Sequence, residues 1–359
     1  MMTSPGPRSI WALLFLTYSA LLVGGSLYPF RLWDPLRTIN FVFLWAPWPK
    51  NVTRTDLITN VLIYLPFGLF ATRLFFHRRF SVAGWLLICL FGAFFSGTLE
   101  TLQMIIRDRV ASNLDIATNT LGVALGAAIA PWLASHSRLM AWLAANRRHW
   151  FRHGLIANAG LMLIMLWVIS QFSLQAPALV AGGLHEGFKP FWAGQSLQSL
   201  DGRVTLIFAF EIASIGLFGA LLMRPERCTP QSVATFAIGA MLLKIIAAAL
   251  LVKLALLPRL VSWEVLLGMG GGIMLAIVPV AWRGQPPAAP LVAGVLAALG
   301  FAKLLRGLPF VTATGLMPDL AAQPEVLLNI TGIGYVIAEI WPYLVLGCTL
   351  ALMEQDASA

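Results

Sequence analysis

Charge is what this chain has least of. Only 24 Lys and Arg and 15 Asp and Glu are spread over 359 residues, so charged residues make up 11%. A soluble protein of this length needs more than twice that share to cover its surface. Cysteine is nearly absent too. Cys89 and Cys348 lie in apolar runs and Cys228 in a short basic loop, which excludes a disulfide framework and any Cys-based metal spacing. The five histidines, at 77, 136, 149, 153 and 185, lie away from the polar residues of the second to fourth apolar runs, so neither a Ser-His arrangement nor a His metal site is supported there. No P-loop or dinucleotide fingerprint occurs, and no nucleotide, other cofactor or metal is expected. Strict alternation over segments of about ten residues, the mark of a membrane β-barrel, is missing as well.

What remains is apolar. The hydrophobic share is 59% and the mean hydropathy +0.82. Runs long enough to cross a hydrocarbon core of ~30 Å recur at about 10–28, 57–76, 82–106, 114–134, 154–174, 204–223, 232–257, 262–282, 290–305 and 333–352. The expected fold is therefore an all-α polytopic integral membrane protein of about ten transmembrane helices, four before a break and six after it. The break is 136-HSRLMAWLAANRRHWFR-152, which places apolar and basic residues at helical spacing and reads as a surface-lying amphipathic linker over 135–153. The membrane domains are then 10–134 and 154–353. The net charge of +9 belongs to short loops rather than to one basic face, so it argues for membrane anchoring and not for nucleic acid. The clusters 77-HRR-79 and 146-NRRHWFR-152 favour a cytoplasmic N-terminus. Loop 29–55, rich in Trp, Pro and Phe, suits the membrane interface on the other side.

The few polar residues inside the runs are not scattered. Asp56 and Asn60 open the second run, and Asp115 and Asn119 open the fourth, which crosses in the same direction. Glu100 and Gln103 close the third, which crosses the opposite way, and an arginine follows at 107 and again at 109. All of these come to one membrane face. Residues four apart share a helix face, so each Asp-x-x-x-Asn pair forms one edge, and Glu100, Gln103 and Arg107 form one stripe. A carboxylate facing lipid at mid-depth costs on the order of 2.5 kcal/mol or more, so these groups should turn inward to a common polar pocket. In the second half, Glu211 and Glu339 lie toward the same face and cannot snorkel as far as Lys253 and Lys303, which makes them further candidates.

The stretch 100-ETLQ-103, an arginine, then Asp115, Asn119 and Gly122 resembles the VanZ-like family. The core of that family reads Glu-x-x-Gln, Arg, Asp-x-x-x-Asn-x-x-Gly. Spacing to Asp115 favours Arg109 over Arg107 in the arginine position. Upstream, Asn60 with Pro66 and Gly68 matches the family's Asn followed by a Pro-x-Gly span, and Gly126 completes a Gly-x-x-x-Gly spacing with Gly122. The resemblance covers about residues 10–134. It implies a bacterial plasma-membrane protein whose namesake is linked to lowered glycopeptide susceptibility, notably to teicoplanin. It implies no settled activity.

Four readings compete for the polar set. Asp56, Asn60, Glu100, Gln103, Arg109, Asp115 and Asn119 could bind a cell-envelope lipid or peptidoglycan intermediate, with Arg109 on an anionic group and the amides and Asp115 on hydroxyl or amide groups. Glu100 and Asp115 could be an acid/base pair, although no nucleophile with a positioned base accompanies them. The ten runs could form a transporter or flippase, and the echo of 28-YPF-30 in 189-KPF-191 hints at duplication. The bland reading is that the side chains hold helices together, while Pro66, Gly68, Gly122 and Gly126 serve packing. Binding is the reading favoured here, and enzymatic activity the weaker one.

Overall fold

The computed structural model describes residues 7–27, 39–49, 54–76, 81–106, 109–135, 137–171, 201–251, 263–281, 288–306 and 328–358. The side chains of Asp56, Lys244, Lys303 and Glu339, and the whole of Arg107, Lys253, the YPF motif and the KPF motif, lie outside the described residues. Eleven α-helices are described: α1 Pro7–Leu27, α2 Arg54–Phe75, α3 Val82–Gln103, α4 Asn113–Ser135, α5 Ser137–Trp150, α6 Leu155–Ser170, α7 Gly202–Leu222, α8 Pro230–Leu251, α9 Trp263–Ala281, α10 Ala288–Arg306 and α11 Leu328–Ala357. Among the described residues there is no strand, and an isolated bridge pairs Phe151 with Met223. In lipid every backbone N–H and C=O must be satisfied within the segment, which leaves helices as the form these runs can take.

Among the described residues six helices are long and apolar enough to cross a membrane: Ile10–Leu27, Leu57–Phe75, Val82–Gln103, Asn113–Leu133, Gly202–Leu222 and Trp263–Ala281. The expectation of about ten is thus met for six. Leu155–Ser170, Pro230–Leu243 and Ala289–Ala302 are apolar but shorter, and α11 carries Glu354 and Asp356 in its last turns. The third run stops at Gln103 rather than 106, because Met104 and Ile105 turn. Outward-facing α3 shows why a membrane is required. Leu86, Leu87, Leu90 and Phe94 are 50–75% exposed, a continuous apolar face that water would not tolerate.

The chain divides into two compact units, 1–145 with 317–336 and 146–316 with 337–359. In the first, α2 and α4 run parallel at very close approach. A Cβ built on Gly122 would meet the Val61 carbonyl oxygen at 2.3 Å, and one on Gly126 would meet that of Leu65 at 1.9 Å. From the other side, one on Gly68 would meet the Val123 oxygen at 2.1 Å. Backbone therefore lies on backbone along this seam, and only glycine fits. Phe67, fully buried, stacks on Phe95 at 4.8 Å and tilts against Phe15 at 5.2 Å, joining α1, α2 and α3. The indole of Trp85 donates to the Ala124 carbonyl at 3.0 Å, and the Tyr18 hydroxyl donates to that of Ile63 at 2.6 Å. Pro66 sits inside α2 without ending it.

The second unit is built around α7, whose residues 211–222 are all buried. Asp201 caps it, accepting from the backbone N–H groups of Arg203 and Val204. The buried Trp341 of α11 donates to the Leu163 carbonyl of α6 at 2.7 Å. Arg152 grips Asp356 with one nitrogen at 2.6 and 2.7 Å, and Gly154, at φ 116°, turns the chain from α5 into α6. In the loop after α7, burial pushes the Cys228 thiol up to about 11.

The α7–α9 contact repeats the register of the α2–α4 contact at two glycines. A Cβ on Gly268 would meet the Thr205 carbonyl oxygen at 2.5 Å and Phe208 at 2.6 Å, as one on Gly122 meets Val61 and Tyr64. One on Gly272 would meet the Ala209 oxygen at 2.4 Å, as one on Gly126 meets Leu65. The sequences that touch are 61-VLIY-64 and 205-TLIF-208, each against a Leu-Gly-x-x-x-Gly.

Gly126→Ala should lower the melting temperature of the purified protein, costing about 1–3 kcal/mol as α2 and α4 are forced apart. Gly97→Ala on α3 meets only an Ile116 methyl at an ordinary 3.7 Å and should leave melting within about 0.5 kcal/mol.

Candidate functional site

The seam brings the C-terminal end of α1, the N-terminal ends of α2 and α4 and the C-terminal end of α3 to one place. There the Asn60 amide donates to Asp115 Oδ1 at 2.8 Å, linking α2 to α4. One turn deeper on α4, Asn119 is 4% exposed and its Nδ2 donates to Ser96 Oγ at 2.9 Å, linking α4 to α3. Its Oδ1 is buried and has no hydrogen-bond partner among the described residues. Tyr64, also buried, lies beside Ser96 and Ser26. Glu100, 3% exposed, lies one turn from Ser96 on α3 and near enough to Asp115 and Arg109 for their charges to act on it.

Residues 104–106 and 109–112, between α3 and α4, pack against this group. Ile106 has no exposed surface, and Arg109 N–H donates to its carbonyl at 3.2 Å. Two side chains hold the segment down. Glu100 Oε2 accepts from the Ser112 N–H at 3.0 Å, and the buried Arg109 guanidinium donates to the Gly25 carbonyl at 3.2 Å. The second contact puts a cation at the C-terminal end of α1, where the helix dipole favours it. Ser112 also starts α4, accepting from the Asp115 N–H at 3.4 Å. Beside it, the Asn113 amide donates to the Ala46 carbonyl at 2.6 Å and so pins the segment 39–49, which carries a short 3-10 turn at Val42–Trp45. Trp45 is 87% and Trp48 67% exposed, the disposition of side chains meant for the membrane interface.

The geometry therefore joins Asn60 to Asp115 and places Glu100, Arg109 and Asn119 around them. Gln103 ends α3 and is buried, without a hydrogen bond to the other candidates. Asp56 falls in the first turn of α2 with its side chain outside the described residues. Glu211 is 1% exposed on α7, in the second unit, and Glu339 lies in α11 with its side chain outside the described residues. Gly68, Gly122 and Gly126 line the seam. The sequence reading missed Ser96, Ser112, Tyr64 and Ser26. Ser96 was recoverable, because it stands four residues before Glu100 on the same stripe. Among the described residues no three His, Cys, Asp or Glu side chains group as metal ligands.

All the residues of this polar end fall between positions 10 and 134. Residues 10–134 match the VanZ/LLP1 family model. The VanZ-like segment comprises α1 to α4 and leaves the second unit unmatched. No curated protein and no solved structure matches the chain.

Chemically, the VanZ-like polar end is a buried cluster of carboxylate, amide and hydroxyl groups on helices, with Arg109 and Ser112 held against it. Such a cluster can hold and orient a polar group. Arg109→Ala should release residues 109–112 without opening the seam. Hydrogen exchange should then speed up across 104–112 by an order of magnitude or more while α2 and α4 keep their protection. Equal loosening of all three would show that Arg109 supports the helices instead.

Proposed function

We propose that the VanZ-like pocket binds the head group of a cell-envelope lipid or peptidoglycan intermediate in the bacterial plasma membrane. In this reading the N-terminus is cytoplasmic, the pocket opens on the outer side, and the helices of the second unit bring the number of spans to about ten. Binding in this way could also set glycopeptide susceptibility.

One observation carries the proposal. The α7–α9 seam has the register of the α2–α4 seam but not its polar groups. Val204 precedes Thr205 where Asn60 precedes Val61, and Val265 stands three before Gly268 where Asn119 stands three before Gly122. The helix pair therefore packs with valine at both places. Hydrogen bonds between membrane helices contribute only ~0.6 kcal/mol each on average, too little to demand a buried amide with an unmatched oxygen. Asn60 and Asn119 are better explained by a ligand than by packing. Trp45 and Trp48 at the same end favour a site at head-group depth.

Glu100→Ala and Arg109→Ala, expressed in a bacterial host at the wild-type level, should each shift the teicoplanin concentration that the host tolerates. Unchanged tolerance in both would remove the link between this pocket and the envelope.

A further inference from the structure

The second unit carries charge at one end that its packing does not use. Where α5 passes into α6, the chain pairs backbone to backbone with the turn after α7. The Arg152 N–H donates to the Leu222 carbonyl at 2.9 Å, and the Arg224 N–H donates to that of Trp150 at 3.0 Å. This pairing brings Arg148, His149 and Arg152 beside Arg224 and Arg227. The Arg224 guanidinium reaches the Arg148 carbonyl at 3.5 Å. That of Arg227 lies 3.4 Å from His149 Nδ1 and 5.7 Å from the centre of the exposed Trp150 ring. Carboxylates answer only part of this charge. Arg152 meets Asp356 at 2.6 Å and Arg224 meets Glu226 at 3.7 Å. Among the described residues neither Arg148 nor Arg227 has a carboxylate within ion-pair distance, and both are exposed.

Trp150 sets the depth of these cations. Tryptophan collects at the level of lipid head groups. On the same helix Trp142 and Leu143 are exposed too, and Leu143 shares the face of Trp150, seven residues on. A helix with apolar side chains on one face and arginines beside them lies in the membrane interface. The cations therefore stand among lipid phosphates. A guanidinium offers its N–H fork to paired phosphate oxygens, and one held over an indole keeps that edge for acceptors. A zwitterionic head group brings its own ammonium, which two arginines without carboxylates repel, whereas an anionic one brings negative charge alone. We propose that this end of the second unit holds the head group of an anionic phospholipid, of the phosphatidylglycerol type, with Arg148 and Arg227 donating to its phosphate. The site stands outside the VanZ-like segment and does not depend on its pocket.

The test offers the purified full chain equal amounts of phosphatidylglycerol and phosphatidylethanolamine and reads the lipid retained by native mass spectrometry. Each arginine at the membrane surface contributes about fivefold, so wild type should favour phosphatidylglycerol on the order of twentyfold. Arg148→Ala and Arg227→Ala should each remove about one fivefold factor, and the double variant should show no preference. Both side chains are exposed, and an unchanged melting temperature checks that the variants are folded. Should it fall, Arg148→Gln and Arg227→Gln, closer in size, give the same reading. Arg138→Ala takes the same charge from an exposed place at the other end of α5 and should leave the preference within about twofold. An equal loss there would reduce the effect to net charge and overturn the site. Equal retention of the two lipids by wild type would overturn it outright. Inorganic phosphate in about a hundredfold excess should leave the lipid bound, and displacement would overturn recognition of a lipid head group.

Discussion

Everything at the polar end depends on how closely α2 and α4 approach. With Gly68, Gly122 and Gly126 at the seam, carbonyl oxygens of one helix lie where side chains of the other would otherwise be. That contact fixes the rotation of both helices and so decides which residues of their first turns face each other. Asn60 meets Asp115, and Asn119 meets Ser96 on α3, because the seam leaves them no other direction. A larger residue at Gly126 would run into the Leu65 carbonyl oxygen and push apart the two helices that carry Asn60, Asp115 and Asn119.

The second unit shows what the seam needs and what it does not. Its helices α7 and α9 keep the two glycines of α4, as Gly268 and Gly272, and the register, while placing Ile212 where α2 has Gly68 and Val204 and Val265 where α2 and α4 have asparagines. Close packing of two parallel helices is thus satisfied by small residues and apolar contact. The polar residues of the VanZ-like segment are an addition to that scaffold. An addition that leaves a buried oxygen without a partner costs on the order of 1–3 kcal/mol, and a ligand that supplies the missing donor would offset it. Glu264 has a different task in its unit, accepting from the Asp201 N–H at the start of α7.

Much of this was legible in the sequence because membrane helices leave few alternatives. The two Asp-x-x-x-Asn pairs, Glu100 and the arginine had to share a face once the runs alternate direction, and the structure joins Asn60 to Asp115 directly. Gly122 and Gly126 read correctly as a close-packing pair. Ser96 and Ser112 escaped because hydroxyls carry no charge signal in an apolar run, and Ser112 acts through its backbone N–H, which every residue has. The burial of Ile106 and Arg109 was hidden because it comes from tertiary contact, not from local pattern. The shared seam escaped too, since VLIY and TLIF look alike only when the glycines they touch are known. Hydropathy alone does not separate a 16-residue helix such as α6 from a full crossing, so six of the ten expected spans are met by length and composition among the described residues.

The central claim is that the α2–α4 pocket is built for a ligand and the α7–α9 seam is not. An experimental density map of the chain in nanodiscs of a natural bacterial lipid extract addresses it most directly. The account predicts head-group density against Asn119 and Glu100, and none beside Val204 and Val265. An α2–α4 end closed on itself, with Asn119 Oδ1 satisfied by a protein donor and no density between the helices, would contradict it.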